Sequence, residues 1–140
     1  MLLRPIAAIS GIYDAAVGLF LVLAADRMAA LFGVPPARPP IFADLNGLFL
    51  IAVGAGYYWP WRDPRGARWY LWVMGPALKG AGAAAFLLDY FVRRQSPASF
   101  LLFAASDGTL ALLTLIALLS TRGVHSVDAA APHLRPRMKK

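Results

Sequence analysis

The chain has 140 residues, 59% of them hydrophobic and only 15% charged, with a formal net charge of +7. A soluble domain carries about 25% charged residues, so this composition belongs to the membrane class, at a length suited to one domain. The absence of cysteine excludes disulfides, thiolate metal sites and a cysteine nucleophile, and with no glutamate the seven acids are all aspartate, at 14, 26, 44, 63, 89, 107 and 128.

Residues 1–5 form a short lead with one charge, Arg4. The first apolar span covers about 6–25, IAAISGIYDAAVGLFLVLAA, and is interrupted by Asp14. A cleaved signal peptide is the competing reading, with Arg4 as its basic region and Ala24 and Ala25 as its small residues. The stretch exceeds the usual apolar core of about 7–15 residues and contains an aspartate, which favours a retained span. Residues 26–33, DRMAALFG, add a final turn or two, with Gly33 as a helix stop. The following VPPARPP cannot continue a helix.

The second span covers about 42–59, FADLNGLFLIAVGAGYYW, and ends in Tyr57, Tyr58, Trp59 and Trp61, the composition expected where a helix meets lipid headgroups. A basic connection, WRDPRGARW, leads to the third span, about 70–92, with Trp69, Tyr70 and Trp72 as a second aromatic anchor. This span reaches about 34 Å at 1.5 Å per residue and carries Lys79 in its middle. A cation there costs roughly 2.5–3.5 kcal/mol on insertion scales, so it needs a partner, a wet cavity or a function. After RRQSP the fourth span, about 99–120, is broken by Asp107. Residues 121–140 read as a polar, disordered, basic tail whose Arg135, Arg137, Lys139 and Lys140 suit anionic lipid at the membrane surface.

These features predict an all-α, four-helix integral membrane protein. With four spans, nine Lys and Arg residues lie on the face holding both termini and four on the other, which places both termini in the cytoplasm of a bacterial inner membrane. The same pattern disposes of nucleic acid as a partner, since the basic residues sit in loops and tail instead of on one folded polar face.

Counted from the cytoplasmic end, Asp14 lies about 12 Å deep, Lys79 about 14 Å, and Asn46 and Asp107 about 20 Å. All four fall in the middle of a hydrocarbon core about 30 Å thick, one from each span. Small residues flank them, Gly11 and Gly18, Gly47, Gly80 and Gly82, and Gly108, and small residues mark helix contact faces in lipid. Ser10, Ser106 and Thr109 add hydroxyls, and Pro76 is expected to kink the third helix near Lys79. Ser10, Asp14, Asn46, Lys79 and Asp107 therefore form a candidate polar cluster, either an ion pair that only sets helix register or a site for a ligand, substrate or proton. If the cluster is catalytic, Asp14, Lys79 and Asp107 are the candidates, and the chemistry is proton transfer. Asp26, Asp44 and Asp89 form an outer acidic layer near Arg27, Arg93 and Arg94, suited to salt bridges and capping, with a hard cation as the alternative.

No cofactor or resident metal is expected. His125 and His133 both lie in the tail, away from the spans, and there is no GxSxG, Walker loop or dinucleotide fingerprint. YDAAVGL, LFGVPP, NGLFLIAVGAGYY, GPALKGAGA and SDGTLALLTL together resemble small four-span bacterial inner-membrane proteins of the DoxX-like kind. That resemblance implies an accessory subunit of a membrane enzyme. A more distant likeness is to the four-helix core of sterol-isomerase-type proteins, whose histidine and glutamate this chain lacks.

The expected function is therefore an accessory subunit or a binder of a small lipophilic molecule, as a homo-oligomer or within a larger membrane complex. The alternatives are an intramembrane acid–base isomerase or cyclase acting on an isoprenoid or sterol-like substrate, and a proton or ion pathway.

Overall fold

The computed structural model describes residues 2–121, and among them the chain is all-helical, with no strand. Four helices are long and apolar enough to cross a membrane: α1 (Leu3–Phe32), α2 (Ile41–Arg62), α3 (Arg68–Arg93) and α4 (Ala98–Ser120). Each runs past its apolar stretch, because flanking polar and aromatic residues continue the helical backbone. The tail from Arg122 onward, with the basic residues assigned to anionic lipid, lies outside the described residues.

Helix ends follow local chemistry. Gly33 adopts a left-handed conformation (φ 70°) after α1. The Val34 N–H then donates to the Ala29 carbonyl at 3.0 Å and the Gly33 N–H to Ala30 at 3.2 Å, a Schellman closure that satisfies carbonyls the helix leaves open. Prolines 35, 36, 39 and 40 follow, and α2 begins directly after Pro40. Within α2 the helix is interrupted at the buried Tyr57, and a short turn Tyr58–Arg62 completes it. Around Pro76, α3 widens into a π-helical segment, Val73–Lys79, where the missing proline N–H breaks the regular ladder.

The four helices are antiparallel. At one end Arg4 donates to the Arg62 carbonyl at 3.3 Å, and Arg68 donates to Thr121 Oγ1 at 2.7 Å and to the Leu118 carbonyl. These bonds gather the start of α1, the α2–α3 connection and the end of α4. At the opposite end Ser99 Oγ donates to the Phe32 carbonyl at 2.6 Å, joining the end of α1 to the start of α4.

Packing differs between the two halves of the bundle. Near the start of α1 and the end of α4, Leu3, Ile6, Val53, Tyr57, Leu71 and Leu118 form a closed apolar core, and the Tyr70 hydroxyl donates to the Val53 carbonyl at 2.5 Å. The α1–α2 seam is set by glycine: a Cβ on Gly18 would stand 2.5 Å from the Gly47 carbonyl oxygen, and one on Gly11 2.9 Å from that of Gly54. Such backbone approach is possible only without side chains. On α3, Gly75 admits Thr114 of α4 in the same way.

The outward surface is apolar over most of its height, with Ile12, Leu23, Phe42, Leu102 and Ile116 all exposed. Trp59 and Trp69 are 66% and 65% exposed at the end that holds the α2–α3 connection.

Candidate functional site

Three of the polar residues singled out in the sequence meet inside the bundle. Lys79 of α3 donates to Asp14 Oδ1 of α1 and lies 3.3 Å from Asp107 Oδ1 of α4. The lysine is 5% exposed and Asp14 2%, whereas the Asp107 side chain is 19% exposed. The ammonium also sits 5.0 Å from the centre of the Tyr13 ring, within cation–π range. A lysine has three donors to place, and these neighbours surround it with two carboxylates and one ring face.

Local structure explains the convergence. The π-helical segment ends at Lys79, and its wider turn rotates the lysine away from the direction a regular helix would give it. On the α3–α4 contact Gly82 faces Asp107 and Gly108 faces Ala83. On α1, Tyr13 reaches α4, and its hydroxyl pairs with Ser106 Oγ at 2.7 Å. Ser106 in turn bonds back to the Leu102 carbonyl at 2.9 Å.

Other expected members stand apart from this triad. Asn46 is exposed and forms no side-chain hydrogen bond among the described residues. Taking the Gly18–Gly47 contact as register, it sits about 7.5 Å further along the bundle than Asp14, beyond the reach of its short amide. Ser10 is fully buried one turn below Asp14, beside the Tyr57 phenol, and makes no bond to Asp14. Thr109 faces outward. The outer acids are dispersed: Asp26 pairs with Arg38 at 3.4 Å instead of with Arg27, and Asp89 with Arg93 at 3.7 Å and with Ser96. Among the described residues no group of three His, Asp or Glu side chains is placed to hold a metal ion.

Above the triad, on the side away from the packed core, lies a cavity of about 420 Å³. Tyr13, Asp14, Asn46 and Asp107 line its polar part, while Lys79 stands behind the two carboxylates. The walls are apolar, from Val17, Leu21 and Met28 of α1 and Leu50 of α2. Four phenylalanines line the far end. Phe32 stacks on Phe103 with centroids 4.7 Å apart, Phe86 stacks on Phe103 at 5.6 Å, and Phe100 meets Phe32 edge-on at 6.1 Å. The volume falls within the range of about 300–1,000 Å³ typical of small-molecule sites.

Tyr13 and the phenylalanine set were not among the sequence candidates. Tyr13 carried a signal, since a mid-span tyrosine must find a partner for its hydroxyl. The phenylalanines carried none, because an apolar side chain in an apolar span is equally suited to face lipid.

The fold and site define an antiparallel helical bundle, packed solid at one end and hollow at the other, with a buried ion triad at the boundary. No protein-family model, curated protein or solved structure matches the chain.

Proposed function

We propose that the chain is a four-span bacterial inner-membrane protein with both termini in the cytoplasm, and that it binds a small lipophilic molecule inside the bundle, alone or as an accessory subunit of a larger complex. The observation that carries this reading is the cavity, with carboxylates at its floor and aliphatic and phenyl groups as its walls. A protein whose only task was to fix helix register would pack this half as tightly as the other. The apolar outer surface supports the membrane assignment, because exposed apolar area on this scale needs a lipid or protein partner. The resemblance to DoxX-like proteins belongs to the same proposal.

Acid–base catalysis on such a ligand is the second reading, favoured by two cavity-lining carboxylates of unequal exposure paired to a single lysine. In that case Asp107→Asn stays folded and loses turnover.

The test is mass spectrometry of the organic extract from protein purified in mild detergent. Wild type is expected to carry a small molecule that is depleted in Val17→Phe, which fills the cavity from α1. Equal extracts from two equally well-folded proteins would defeat the binding reading.

A further inference from the structure

We infer that the cavity takes a lipophilic amine in its cationic form, a proposal that rests on the small-molecule reading above. The argument is one of charge and hydrogen-bond capacity at the floor. Two carboxylates line the cavity, Asp14 and Asp107, and the described residues offer no lysine or arginine among its lining groups. Lys79 serves both acids from behind. One cation set against two acids leaves the face presented to a ligand with an excess of negative charge. In a low-dielectric interior such an excess is costly unless a counter-charge completes it.

The unsatisfied capacity is also of one kind. Asp14 Oδ1 accepts from Lys79, whereas its Oδ2 is buried with no hydrogen-bond partner, although the residue borders the cavity. The Tyr13 hydroxyl is already committed to Ser106. What the floor lacks is therefore a donor, and a charged donor meets both the geometric and the electrostatic deficit. An alcohol supplies the donor without the charge, and a carboxylate supplies neither.

The rest of the cavity fits the same occupant. With its ammonium at Asp107, whose side chain is 19% exposed, a ligand extends its apolar body between Leu21 and the rings of Phe32 and Phe103. The Tyr13 ring lines the cavity beside the floor. Asn46, higher on the wall, has amide groups free to meet a polar substituent on that body.

The experiment compares three probes with one skeleton, 4-phenylbutylamine, 4-phenylbutan-1-ol and 4-phenylbutyrate, by equilibrium dialysis against the full chain in detergent at pH 7. The amine is expected to bind at least about tenfold more tightly than the alcohol, as a charge-assisted hydrogen bond implies, and the carboxylate not to bind. Asp107→Asn is expected to collapse the preference for amine over alcohol. Asn46→Asp, which adds a carboxylate to the cavity wall and leaves the triad intact, is expected to widen it, so the outcome does not depend on a triad variant folding.

If the alcohol binds wild type as tightly as the amine, and Val17→Phe abolishes both, the cavity binds small molecules and the charge inference falls. Tightest binding of the carboxylate overturns it in favour of Lys79 as the reading group. If no probe binds, or all bind Val17→Phe as they bind wild type, the small-molecule reading falls with it.

Discussion

Lys79 is the residue on which the packing of α1, α3 and α4 converges, and its removal separates structural from functional roles. Lys79→Met strands Asp14 in the interior, which is expected to cost about 3–5 kcal/mol, as when one partner of a buried pair is deleted. Adding Asp14→Asn removes the stranded charge and is expected to restore most of the loss. Adding Asp107→Asn should restore less, because that side chain is 19% exposed and reaches the cavity. Thermal unfolding in detergent of the single and double variants measures both differences. A Lys79→Met protein as stable as wild type would show that the triad does not hold the bundle together. Asp14 and Lys79 stand out in the sequence because a charge inside an apolar span demands an explanation. Which acid takes the closer place is set by side-chain reach across the bundle, and no spacing along one chain encodes that.

At the scale of the element, the glycine seam between α1 and α2 is the feature most sensitive to change. A side chain on Gly18 meets the Gly47 carbonyl oxygen and the Ile51 nitrogen, at 2.5 and 2.8 Å from its Cβ, and backbone atoms cannot step aside. Gly18→Leu is expected to force α1 from α2 and lower stability by about 1–3 kcal/mol, the usual cost of overpacking. Gly80 is the control: its nearest neighbour would be Ala111 Cβ at 3.9 Å, so Gly80→Ala fits and gains helix propensity of up to about 1 kcal/mol. Unfolding midpoints of the two variants should move in opposite directions, and a neutral Gly18→Leu would contradict the seam. The helix stops at Gly33 and the proline run were legible, since they follow from backbone conformations that few residues adopt. The π-helical turn was not. Pro76 announces a disruption, but a kink, a break and a widened turn all relieve the missing N–H, and packing against α4 selects among them.

For the whole molecule, charge at the two ends sets the orientation in the membrane proposed above. The two ends of the described bundle carry the same number of basic residues: Arg4, Arg62, Arg65 and Arg68 at one, Arg27, Arg38, Arg93 and Arg94 at the other. The bias that favours cytoplasmic termini therefore comes from Arg122, Arg135, Arg137, Lys139 and Lys140. Charges added at a C-terminus can reverse a topology, so their removal is informative. The chain has no cysteine of its own, which makes each introduced one a unique label. In intact spheroplasts, Arg38→Cys in the full chain is expected to react with an impermeant maleimide and Arg65→Cys only after permeabilisation. Deleting the residues after Thr121 is expected to give a mixture of the two orientations. Reaction of Arg65→Cys alone in intact cells would invert the assignment.

The sequence by itself determined the number of long apolar helices, where they stop, and that charges lie within them. Apolar length, proline, glycine and the cost of burying charge are properties of single segments, and they act before any helix meets another. Only the tertiary structure decided that Asp14, Lys79 and Asp107 meet while Asn46 is offset from Asp14 by about 7.5 Å along the bundle, because that depends on the stagger set by the glycine seam and on the turn added to α3. It also decided that one half of the bundle is solid and the other hollow. A void is a property of how four surfaces fit, and an apolar residue that faces lipid is the same letter as one that walls a cavity.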